Sequence, residues 1–166
     1  MAVTAKGTPY VESSDLVANY PGASLALANH IDTIGKVLKV VRATDGTNRT
    51  TTSTVFVDTG TEIAITPSKA SSSILLISSN RVECGVGNFI GTTFTDAANN
   101  ILSGSGPTTS GSTASNWTSQ LTTFAYVSAG STAARTYKLR FKTSGSNVSI
   151  LNAVITGQLF AIEVAA

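Results

Sequence analysis

His30 and Cys84 are the only histidine and the only cysteine in this chain of 166 residues, so they are its whole stock of imidazole and thiol chemistry. A protein zinc site draws three or four ligands from His, Cys and carboxylate groups at short spacings. His30 has no second His and no nearby Cys, so a polar role on a helix face is expected for it. Only threefold symmetry, with three imidazoles meeting at an axis, would make it an ion-binding or pH-sensing group. Cys84 stands in the segment ECGVG, an apolar strand context with no base to activate a thiolate. A buried, inert thiol is the expectation, and one cysteine forms no disulfide within the chain.

The remaining candidates reduce to turn chemistry or surface recognition. Gly85 to Gly91 read GVGNFIG, a GxGxxxG spacing with no helix behind it, so the dinucleotide fingerprint fails and a bulge or tight loop is expected. Asp96 with Asn99 and Asn100 could ligate calcium, but the spacing is not that of an EF-hand and turn formation explains it better. Asp45, Asp58 and Glu62 are scattered, and nothing in the sequence selects a glycosidase-type acid pair from them. The nucleophile elbow G-x-S-x-G is absent. Trp117, the one tryptophan, reads either as a loop anchor packed on the fold or as a platform for a sugar ring. If the chain has a recognition surface, Trp117, Asn99 and Asn100 are its candidates, in the tract 95–117 together with the turns at 45–52 and 144–147. No catalytic residue, cofactor or metal is expected, and the chain does not read as an enzyme.

Charge narrows the partners. Charged residues are 12% of the chain, about half the usual share, and the net charge is +2. That excess is too small and too dispersed for nucleic-acid binding, which needs clustered Lys and Arg. The one basic group, Lys138, Arg140 and Lys142 near Arg135, repeats every second residue and so marks the solvated face of a strand. No apolar run is long enough for a helical membrane span. The first residues, MAVTAKGTPYVESSD, lack the apolar centre of a signal peptide, so assembly in a cytoplasm is expected. The N-x-[ST] triplets at Asn48, Asn116 and Asn147 are then chance matches in a chain rich in Ser and Thr.

The elements that carry these residues fall into two parts, 1–35 and 36–166. Residues 1–12 have Gly7, Pro9 and no apolar period, and read as an extended arm. Pro21 opens a helix that runs to Ile34, where Gly35 stops it. Leu27, Ile31 and Ile34 share a 3-4 spacing, which Tyr20 and Leu38 extend, and form a stripe for docking or oligomerisation. From Lys36 the period becomes two. Strands are expected at KVLKVVRA (36–43), TVFVD (54–58), EIAIT (62–66), SILLIS (73–78), 81–86 or 88–94, 118–127, RTYKLRFKT (135–143), 147–151 and QLFAIEV (158–164). SILLIS is apolar enough to be buried on both faces. In RTYKLRFKT the inward residues are Tyr137, Leu139 and Phe141; in QLFAIEV they are Phe160, Ile162 and Val164. Residues 95–116 read as a long loop. Eight or nine short strands between Gly, Ser, Asn and Asp turns predict an all-β fold, an antiparallel β-sandwich or jelly roll with hydroxyl side chains outside.

The stretches VLKVVRAT, TSTVFVDTGTEIAITPSKASSSILLISS, RTYKLRFKTSGSNVSI and FAIEVAA resemble a β module of tailed-phage structural proteins, found at the receptor-facing ends of tail fibres in phages of marine and cyanobacterial hosts. YVESSDLVANYPGASLALANHID is similar to a segment that precedes distal modules in fibre and virion proteins. The resemblance implies a virion protein assembled in the host cytoplasm, a homotrimer that binds other tail or capsid proteins through residues 1–35. Residues 36–166 would then display a β-sandwich toward a host-surface glycan. The chain has no large virion-binding domain and no shaft, which suits a short fibre or fibre tip. The alternatives are a capsid decoration or cement protein, a small polysaccharide-degrading enzyme, and a carbohydrate-binding module.

Overall fold

The computed structural model describes residues 2–3, 9–10, 20–33, 36–105, 108–112, 114–145, 149–152 and 154–165. In chain order the elements are β1 (Ala2–Val3), β2 (Pro9–Tyr10), α1 (Tyr20–Thr33), β3 (Val37–Asp45), β4 (Arg49–Thr51), β5 (Val57–Ile65) and β6 (Ser73–Cys84). They continue with β7 (Asn88–Asp96), β8 (Thr108–Ser112), β9 (Trp117–Ser128), β10 (Arg135–Thr143), β11 (Ser149–Leu151) and β12 (Gly157–Val164).

All strand pairs are antiparallel, and the sandwich has two layers. One sheet has the order β5-β10-β7-β8. In the other, β6 pairs along its whole length with β9. On its opposite edge β6 pairs first with β12 and then with β11, which lie end to end. β3 and β4 continue the same two rows outward, pairing with β12 and β11. Counting β3 with β4 and β11 with β12, each sheet is four rows wide. The chain passes between the layers in the order of a jelly roll, the fold class that the turn spacing predicts.

Interior residues come from alternate positions. Ile74, Leu76 and Val82 of β6, Leu159 and Ala161 of β12, Leu121 and Ala125 of β9 face Ile63, Ile65, Ile90, Phe94, Tyr137, Leu139 and Phe141 of the other sheet. Burying each large aliphatic side chain contributes roughly 1.5–3 kcal/mol. The inward positions of β10 are those expected from its alternation. Between the layers the buried hydroxyls of Thr92 and Thr123 hydrogen-bond to each other.

The two broken rows are tied at one level. The Asn152 amide donates to the Arg81 carbonyl at 2.8 Å, and Asn152 Nδ2 donates to the Asp45 carbonyl at 3.1 Å. The Asp45 carboxylate accepts from Thr47 N (2.8 Å), Thr61 Oγ1 (2.9 Å) and Arg49 Nη2 (3.2 Å). Burial pushes its acidity down, yet these donors outweigh it and hold its pKa below the usual carboxylate value.

Several expectations need correction. TVFVD and EIAIT are not two strands: Val57–Ile65 runs through as β5, with Gly60 at φ 72° and a register shift against β10. Three β5 residues, 59–61, stand against one of β10, and a glycine in the left-handed region accommodates such a bulge, so Thr59-Gly60 kinks the strand and does not end it. The tract 95–116 contains β8, a five-residue strand of Thr, Ser and Gly that lacks any apolar alternation. Residues 81–84 belong to β6, and β7 is a separate strand. The arm is not simply extended, because Ala2 and Val3 pair with Tyr10 and Pro9. α1 covers 14 residues, close to the expected span, and among the described residues packs against β2.

The largest correction concerns β12. Leu159, Ala161 and Glu163 are buried, while Phe160, Ile162 and Val164 lie on the outer face. Glu163 has no accessible surface. Its carboxylate accepts from Ser68 N (2.6 Å), Lys69 N (3.2 Å), Ser68 Oγ (3.0 Å) and Ser72 Oγ (2.7 Å). A buried carboxylate is tolerated when its oxygens are fully hydrogen-bonded. That satisfaction permits the register that turns three apolar side chains outward.

Candidate binding surface

Among the described residues no three His, Cys, Asp or Glu side chains come together as a metal site. Cys84 is buried, with Sγ 4.0 Å from the Ser110 carbonyl. The glycine-rich tract forms a turn at Gly85–Gly87 and then enters β7; the Asn88 amide donates to the Gly85 carbonyl at 3.2 Å. The side chain of His30 lies outside the described residues.

Trp117 and the two asparagines do not form one surface. Trp117 opens β9 opposite Cys84, at the far end of β6, and is half-buried against the core. Asn99 and Asn100 follow β7 at the end where Asp96 pairs with Tyr137, near the opposite end of the sandwich. β6, 12 residues long, spans about 40 Å at roughly 3.3 Å per residue. One binding site therefore does not hold all three. Asn100 donates through N and Nδ2 to the Asp96 carboxylate, both at 2.9 Å, and Asn99 adopts φ 71°. These are the bonds of a tight turn. The Asn100 side chain, then its amide, holds the Asp96 pKa below the usual value.

The proposed docking stripe is only partly described. Leu27 is exposed on α1, and so is Leu25. Leu38 belongs to β3 and is half-buried there, so it does not extend the helical stripe. The side chain of Ile31 and the whole of Ile34 lie outside the described residues.

Two open clefts mark the ends of the β5-β10-β7-β8 sheet. One, about 340 Å³, is lined by Asp96, Arg135 and Tyr137 with Thr136 and three alanines around them. Burial pushes the Tyr137 phenol above its usual pKa. The other, about 390 Å³, lies between Phe89, Thr109 and Lys142. Neither gathers an acid, a base and a nucleophile.

The outer faces of the two sheets differ in kind. On β5 and β10 the outward residues include Asp58, Glu62, Lys138, Arg140 and Lys142, a solvated charged surface with Lys138 Nζ 3.9 Å from Asp58 Oδ2. The outer face of β3-β12-β6-β9 instead carries two apolar rows, fixed by register. One row is Val40, Ile162, Leu75 and Tyr126; the next is Arg42, Phe160, Ile77 and Phe124. Val40, Tyr126 and Phe124 are 56%, 58% and 63% exposed. The only charge in these rows, Arg42, lies 5.9 Å from the Phe160 ring and donates to Gln158 Oε1 at 2.7 Å. Beyond them runs a polar row of Thr44, Gln158, Ser79 and Thr122. The expected coat of hydroxyls is thus interrupted by an apolar band. Sequence reasoning missed Phe124 and Tyr126; the signal was SILLIS itself, apolar at both parities, whose outward half needs company on neighbouring strands.

No protein-family model matches the chain, and no curated protein matches it.

Proposed function

We propose that the chain is a structural protein of a tailed-phage virion, of the short-fibre or fibre-tip kind, that acts by binding and carries out no chemistry. Residues 1–35 engage another virion protein, and residues 36–166 are displayed toward the host surface. The resemblance of the strand and helix segments to fibre modules motivates the reading. The observation that supports it is architectural: a jelly roll, a fold common to capsid and lectin modules, is preceded by a helix that, among the described residues, packs against β2. Fold alone does not assign function, so the particle must decide.

Mass spectrometry and a reconstruction of purified particles test it. The chain is expected at the tail in a copy number set by tail symmetry. Absence from the particle removes the proposal, and a copy number matching the capsid lattice replaces the fibre with a decoration protein. New reducing ends on host polysaccharide incubated with the pure protein would make it an enzyme.

A further inference from the structure

We infer that the apolar outer face of the β3-β12-β6-β9 sheet is where a second copy of this chain docks, sheet against sheet. The inference names a partner for the proposed structural role, but it stands or fails in solution, whether or not the chain occurs in a virion.

The composition of β6 is the first support. A strand apolar at both parities is a strand meant to be covered on both faces. Within one copy only the inner parity, Ile74, Leu76 and Val82, is covered. Leu75 and Ile77 remain partly accessible and continue across the sheet into Tyr126, Phe124, Phe160 and Ile162. A contiguous apolar patch of this kind on a soluble domain marks an interaction site. The opposite sheet of the same molecule is charged on its outer face, so the contrast is not a general property of this surface.

The anatomy is the second. An apolar centre flanked by polar rows is the layout of a protein–protein interface. Toward Cys84 the flank is the polar row Thr44, Gln158, Ser79 and Thr122; toward the other end the row is mixed, with Ser73 and Ser128 beside Val164 and Val37, so the apolar centre runs out to the edge there on β12 and β3. Four strands about 4.8 Å apart and up to about 40 Å long present a face of the order of 700 Å², close to the roughly 800 Å² per partner of a stable interface. Aliphatic side chains outnumber aromatic ones in the two rows, which suits a protein surface better than a sugar.

Charge and symmetry select a second copy. The central rows carry one charge, Arg42, so like copies meet without repulsion. A twofold axis along the strands, between β12 and β6, lays each row over itself in reverse order. Arg42 of one copy then faces the Phe124 ring of the partner subunit, and Val40 faces Tyr126 of the partner subunit. Apolar contact and a cation–π pair make the face self-complementary, as an isologous interface requires.

Light scattering on the full chain across a range of concentrations tests the inference. The mass expected is that of two or more chains of 17.0 kDa. Phe124→Asp should weaken the assembly by about 30-fold or more, as for a central interface residue, while Leu27→Asp on α1 leaves it intact. Tyr126→Arg should repeat the effect, and unchanged circular dichroism should show that both variants fold. A parent chain that stays monomeric at high concentration overturns the inference. So does an oligomer that Leu27→Asp dissolves and the two sheet variants do not.

Discussion

The Glu163 carboxylate on β12 accepts a hydrogen bond from the Ser72 hydroxyl at 2.7 Å, and neither residue has accessible surface. This contact joins the last strand to the turn before β6 and sets which side of β12 faces the core. Burial alone would raise the Glu163 pKa; Ser72, Ser68 and the Lys69 amide outweigh it, and the net shift is downward from 4.5.

Glu163→Gln should therefore be costly. The amide replaces one acceptor with a donor amid four donors, a loss of about 1–3 kcal/mol for an unsatisfied buried group, or about 3–10 °C in Tm at this size. The pH dependence has a definite sign. A carboxylate whose folded pKa lies below the unfolded value stabilises fully above that unfolded value, near 4.5, and its contribution is lost as pH falls through the folded pKa. The Tm gap between parent and variant should be widest near pH 7 and should narrow below pH 4.5 in calorimetry; a gap independent of pH contradicts the ionised assignment.

The register of β12 makes a paired prediction. Leu159→Ala should cost about 2–5 kcal/mol by opening a core cavity. Phe160→Ala, one residue away but outward, should cost about 1 kcal/mol or less in the monomer. Urea unfolding at protein concentrations low enough to exclude association measures both, since binding to the native state would otherwise add to apparent stability. Equal losses would mean that the strand is turned the other way.

Gly111 on β8 has no room for a methyl group. An added Cβ would sit 2.2 Å from the Asn88 carbonyl oxygen and 2.7 Å from Phe89 Cα, both main-chain atoms. Gly111→Ala should push β8 off β7, at about 1–3 kcal/mol for overpacking. Cys84 reports it: the thiol should resist a disulfide reagent in the parent chain and react quickly in the variant, because the Ser110 carbonyl that covers it belongs to β8. Unchanged reactivity would show that β8 does not shield Cys84.

Asp45→Asn should loosen the tie between the broken rows. The carboxylate accepts from Thr47, Thr61 and Arg49, and weakening these charge-assisted bonds should cost about 1–3 kcal/mol. Hydrogen exchange should quicken first at β4 and β11, the short strands beyond the break, with β6 and β12 little changed.

The alternation of RTYKLRFKT was enough to orient β10, because its outward positions are charged and its inward ones are not. Turn residues and short apolar runs were enough for an antiparallel β-sandwich or jelly roll, since period-two patterning and Gly, Asn and Asp punctuation are local properties. Pro21 and the spacing after it marked α1 for the same reason. QLFAIEV carried no such guide: both parities hold apolar residues, and only the donors at Ser68, Lys69 and Ser72, some 90 positions earlier in the chain, decide that the glutamate goes inside. β8 was hidden because its pairing uses main-chain groups and needs no apolar side chain. The apolar band existed in the sequence only as scattered residues of four strands. Register across β3, β12, β6 and β9 gathered Val40, Ile162, Leu75 and Tyr126 into one row, and the same register separated Trp117 from Asn99 and Asn100. Chain-local chemistry chooses the elements; long-range pairing chooses which faces meet water.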